Sequence, residues 1–171
     1  MFVDESAVNT SLTPAYGRAP RGHRVTESVP RNYGAQTSVI AALCLERGVV
    51  APLTLAGAVD TLAFDAYLER VLRPCVRRGD VLVLDNLGVH KASQVAQVAH
   101  ERGARVLWLP PYSPDFNPIE QCWSKIKALL RRAKARTRDE LEQALAQAIK
   151  SVTTTDIRGW FTHCGYKVAL K

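Results

Sequence analysis

DVLVLDNLGVHKASQVAQVAHERGARVLWL, residues 80–109, decides the fold. The apolar run at 81–84 is a short strand of the kind buried on both faces, because nothing in it alternates with polar residues. Residues 91–102 place apolar side chains at helical spacing and meet a stop at Gly103. Residues 104–109 (ARVLWL) read as the next strand, ended by Pro110 and Pro111. Strand, helix and strand in that order form a crossover unit, which joins parallel neighbours.

Upstream, residues 61–72 carry Leu62, Tyr67, Leu68, Val71 and Leu72 at roughly helical spacing and end before Pro74. Residues 36–45 (QTSVIAALCL) have the continuous apolar character of a buried strand, and 49–55 pair back against it through the turn at Arg47 and Gly48. Residues 11–34, with three prolines and three glycines, read as turns and loop, with one exposed strand expected at 22–29. Phe2 and Val3 are the end of a short first strand that runs straight into Asp4, Glu5 and Ser6.

Downstream, Ile119, Cys122, Trp123, Ile126, Leu129, Leu130 and Ala133 mark a strongly amphipathic helix that starts at Pro118. A second helix starts at Thr137, where Glu140 completes a capping box, and runs to about Val152. Antiparallel opening strands followed by crossover units predict an α/β fold with a mixed sheet and helices on both faces. An all-parallel doubly wound sheet would need helices between the first strands, and none is visible there.

The chain has 171 residues, 47% hydrophobic and 23% charged, the composition of one packed domain. No apolar run approaches the roughly 18 residues of a membrane helix, and Asp4 and Glu5 stand where a signal peptide would be basic. A cytoplasmic protein is expected. The four cysteines are too far apart for a paired metal or disulfide motif and read as reduced thiols. The net charge of +7 has one origin. Seven of the 23 basic residues and none of the 16 acidic ones lie between Lys125 and Arg138. A localised excess of this kind points to a site that meets an anion such as nucleic acid.

Three acids stand at the ends of predicted elements: Asp4 after the first strand, Asp85 after VLVL, and Glu120 in the first turn of the amphipathic helix. Carboxyl ends of neighbouring strands open onto one crevice in sheets of this type. Carboxylates gathered there need a counter-ion, and a hard divalent cation with oxygen ligands supplies one. Each acid also has an ordinary structural reading. Asp85 with Asn86 caps the following helix, Asn117 and Glu120 make a capping box around Pro118, and Asp4 is a solvated residue near the terminus.

The strings FVDES (2–6), VLDNLGVHK (83–91) and LPPYSPDFNPIEQCWSKIK (109–127) resemble the three signature blocks of DDE transposases, in particular the bacterial insertion-sequence group numbered six-thirty, related to mariner elements. The 34 residues between Asp85 and Glu120 match that family's gap, and YGRAPRGHR (16–24) and WFTHCGYK (160–167) are weaker matches. The resemblance implies an RNase H-like catalytic domain over residues 1–171, in which Asp4, Asp85 and Glu120 hold two Mg²⁺ or Mn²⁺ ions. Its implied activity is cleavage of double-stranded DNA at transposon ends and strand transfer into target DNA at a TA dinucleotide. Glu5, Asn86 and His90, within the same blocks, are the candidates to orient the metal ligands. Arg21, Lys91, Lys125, Lys127, Arg131 and Arg132 are the candidate DNA contacts, with Lys127 and Arg131 on the face of Glu120 by helical spacing.

Relatives carry helix-turn-helix modules upstream, and this chain starts three residues before Asp4. The expectation is therefore a catalytic part that works with an upstream-frame DNA-binding polypeptide, near the nucleoid and by resemblance as a homodimer. The competing expectation is an inactive remnant that serves only as a DNA-binding or interaction module.

Overall fold

The computed structural model describes residues 1–32, 34–85 and 92–168. Five strands, β1 (Phe2–Val8), β2 (Thr37–Cys44), β3 (Gly48–Ala56), β4 (Val81–Leu84) and β5 (Arg105–Trp108), form one sheet in the order β3-β2-β1-β4-β5. β1, β2 and β3 pair antiparallel, whereas β1 with β4 and β4 with β5 pair parallel. The predicted mixed sheet is present. β2 is buried at all eight of its residues, which is why its sequence is continuously apolar.

Helices cover both faces. On one, α3 (Pro118–Ala133), α4 (Arg138–Lys150) and α5 (Thr154–His163) bury Trp123, Ile126, Leu141, Leu145, Ile157 and Phe161 against Phe2, Val39, Leu43 and Val83. On the other, α1 (Thr61–Tyr67) and α2 (Ala92–Glu101) contribute Phe64, Tyr67, Val95 and Ala99 to a core with Val3, Ile40, Leu82 and Leu84. The odd and even members of β4 thus enter different cores, which is strand alternation at work.

Four expectations are corrected. β1 is not a stub: it extends to Val8 because β2 supplies an antiparallel partner for every residue from Phe2 to Val8. Asp4 therefore sits inside the strand. Residues 22–29 form no strand but exposed coil, entered by a turn in which the His23 amide donates to the Pro20 carbonyl at 3.0 Å. The helix expected over 61–72 is α1 followed by a π-type turn (Leu68–Leu72) and a 3-10 turn (Arg73–Cys75). Leu62, counted in its apolar stripe, is 77% exposed, and Phe64 takes the core position. Finally, α5 was not anticipated. Its sequence signal is the capping box of Thr153 with Asp156, followed by Ile157 and Phe161 at an (i, i+4) spacing. Phe161 and Tyr166 close on Phe2 with ring centroids 5.3 and 5.2 Å away, which anchors α5 and the segment after it to β1.

Candidate active site

Alternation along β1 turns Phe2, Asp4, Ser6 and Val8 toward α3. Phe2 pairs in parallel with Val83, and both side chains enter the same core. Asp4 and Asp85 each lie two residues beyond that pair, Asp4 within β1 and Asp85 just past the end of β4. Glu120 stands in the first turn of α3, exposed while Ile119, Cys122 and Trp123 are buried. Its charge acts on Asp4, and it shares a cavity wall with Asp85.

Their environments form a gradient: Asp4 is buried, Asp85 half-buried and Glu120 exposed. Asp4 is 7% exposed, and the indole N–H of Trp123 donates to its Oδ2 at 3.0 Å. Burial first, then the negative charges of Glu120 and Glu5, push the Asp4 carboxyl up to about 7, against the opposing pull of the Trp123 hydrogen bond. Trp123 had been read only as an apolar position of the helix. A buried indole needs an acceptor, and Trp123 stands one helical turn after Glu120, so its sequence position did carry the signal.

Asp85 and Glu120 line a cavity of about 320 Å³ whose remaining wall is the 109–114 loop and Asn117. Tyr112 in that loop is fully exposed with φ of 55°, a left-handed conformation unusual for a bulky residue. The capping box expected of Asn117 and Glu120 is not made. Asn117 has φ of −111° and ψ of 92° and makes no side-chain cap bond; its backbone carbonyl accepts from the Glu120 amide at 3.1 Å. The Asn117 side-chain oxygen is buried with no hydrogen-bond partner.

Asp85, Glu120 and Asn117 place only oxygen donors on one cavity wall, which suits a hard divalent cation, and the Asn117 amide oxygen has no partner among the described residues. Among the described residues no three His, Cys, Asp or Glu side chains form a group that could hold a metal ion.

The family model for the DDE superfamily endonuclease domain matches residues 1–142. The chain belongs to the DDE superfamily endonucleases. Among curated proteins it is similar to the Tcb1 transposable-element transposase of Caenorhabditis briggsae, 29% identical over 120 residues, 67% of this chain and 44% of the relative. Among solved structures it resembles the mariner Mos1 paired-end complex with Mg, with a TM-score of 0.70, 17% identity, and coverage of 96% of this chain and 52% of that one. The catalytic domain of Mos1 transposase matches with a TM-score of 0.59 at 14% identity, over 96% of this chain and 77% of that one. These likenesses establish the RNase H-like fold. The chain spans about half the length of the curated relatives it matches.

The remaining predicted residues of this DDE domain are distributed unevenly. Asn86, His90 and Lys91 lie outside the described residues. Alternation turns the Glu5 side chain to the opposite face from Asp4, away from the cavity, so Glu5 acts on Asp4 through its charge, which raises the Asp4 carboxyl, and through its backbone amide, which donates to that carboxyl and lowers it. The basic run contains no acid, yet several of its residues are paired. Lys125 pairs with Asp156 and so faces α5, Lys134 pairs with Glu27, and Arg138 pairs with Glu142. Arg136 donates to the carbonyls of Thr10 and Leu12 at 2.9 and 3.2 Å. Lys127 and Arg131 are half-buried on the Glu120 face of α3, and Arg132 is exposed on its flank. Arg21 lies in the exposed 15–29 coil. No described helix is long and apolar enough to cross a membrane.

Proposed function

We propose that this chain is the catalytic part of a DNA transposase of the bacterial insertion-sequence group numbered six-thirty. It would cut element-end DNA and join the freed end to target DNA at TA. What supports this reading is the cavity wall shared by Asp85 and Glu120, with the charge of Glu120 also acting on the buried Asp4. Asp4, Asp85 and Glu120 would hold two Mg²⁺ or Mn²⁺ ions, which when bound activate the attacking oxygen and stabilise the departing one in a phosphodiester displacement.

The chain's own groups have separate tasks. Asp85 and Glu120, on the cavity wall, hold negative charge where a phosphate would enter. Asp4 must give up its proton before it can act as a ligand, and Trp123 fixes one of its oxygens so that the other is presented at constant orientation. Lys127 and Arg131 offset phosphate charge along the helix that carries Glu120. On this reading water would displace the 3′ oxygen of the element's terminal nucleotide, leaving the 5′-phosphate on the flanking DNA. The released 3′-hydroxyl then displaces a 3′ oxygen in the target strand, losing its proton, so each step exchanges one P–O bond for another.

The working unit on this reading is a homodimer on paired ends, assisted by an upstream-frame DNA-binding polypeptide and located at the nucleoid. The test is Mg²⁺-dependent nicking of a duplex carrying the element end. Asp85→Asn and Glu120→Gln should each reduce the rate at least 100-fold, in line with loss of a metal ligand. Nicking that persists in either variant overturns the assignment.

A further inference from the structure

Asn117 is 5% exposed, stands on the wall of the cavity shared by Asp85 and Glu120, and carries a side-chain oxygen with no hydrogen-bond partner. The usual employment of an asparagine at this position, capping the helix that follows, is refused. The residue before Pro118 is held extended, and the Glu120 amide goes to the backbone carbonyl instead. An amide oxygen buried without a donor is destabilising, so a fold that keeps one has a use for it. Its neighbours across the cavity are carboxylates, which offer no proton to an acceptor when ionised. A divalent cation satisfies an amide oxygen among carboxylates and, unlike a water, also offsets their charge.

We propose that Asn117 is a positioning residue whose side-chain oxygen is a neutral donor to the divalent cation held at Asp85 and Glu120. This rests on the metal-dependent reading above. A neutral oxygen adds a ligand without adding to the repulsion among three acids, so it raises affinity and leaves the charge of the site unchanged.

Mn²⁺ binding to the full chain, followed by the electron paramagnetic resonance signal of the free ion, tests it without DNA or turnover. Asn117→Ala should weaken Mn²⁺ binding about tenfold or more. Asn117→Asp, which restores an oxygen, should bind at least as tightly as the parent. The metal-free melting temperature of Asn117→Ala should equal or exceed the parent's, because an unsatisfied buried group is gone. Parent-like Mn²⁺ affinity in Asn117→Ala, with Glu120→Gln weakened, overturns the role of Asn117 alone. Parent-like affinity in both variants overturns the metal-site reading and this inference with it. A lowered metal-free melting temperature, or failure of Asn117→Ala to fold, together with Asn117→Asp binding Mn²⁺ more weakly than the parent, assigns the residue a structural role and also overturns the inference.

Discussion

Asp4 is the acid that most distinguishes this site from a row of surface carboxylates. Its carboxyl is raised from 3.8 to about 7, chiefly by burial and then by Glu120 and Glu5, so the folded chain holds that proton more tightly than the unfolded chain. The associated stability is fully present below pH 3.8 and is lost as pH rises through about 7. The magnitude is on the order of 4 kcal/mol. Without divalent ions, urea denaturation should therefore show the parent less stable at pH 8 than at pH 5. Asp4→Asn should lack most of that difference and exceed the parent at pH 8; equal pH profiles for the two would exclude a raised Asp4. That Asp4 is a candidate acid is legible in the sequence. That it is deeply buried is not, because burial here depends on Trp123 arriving from 119 residues away.

At the level of elements, α3 does most of the organising. Its apolar stripe is plain in the sequence, and its start and length agree with the structure because Pro118 at the first helical position and a strict helical spacing leave little choice of register. The opposite is true of its charges. Sequence shows seven bases without an acid between them, whereas folding brings Asp156 to Lys125 and Glu27 to Lys134, and Arg138 pairs with Glu142 one turn further along α4. Side-chain pairing across elements has no local signature, and so a count along the chain overstates the charge offered to a partner. Lys127→Ala and Arg131→Ala should each lower the salt slope of duplex DNA binding by about 1, as measured by fluorescence anisotropy across a salt series. Lys125→Ala, whose partner is Asp156, should leave the slope unchanged. α5 was missed for a related reason: it is short and only moderately apolar, and its place is fixed by contacts with β1 that are remote in sequence.

Over the whole molecule, two cores share one sheet, and Asp4 lies on the side of the core built by α3, α4 and α5, where Trp123 reaches it. Phe161 joins α5 to Phe2, two residues before Asp4. Phe161→Ala should destabilise the chain by about 3–5 kcal/mol in equilibrium urea unfolding; a cost below about 1 kcal/mol would show that α5 is not part of the cooperative core. The sheet order carries a temporal consequence as well. β1 is the middle strand of the sheet yet precedes every other strand in the chain, so on a ribosome it first meets β2 and β3, then β4, and only afterwards α3. Contacts of such long separation form late, since the loops they close must be ordered first. A growing chain that has not reached Glu120 exposes isolated acids with no assembled centre among them. On the proposed reading, the three acids can act together only after α3 has been made.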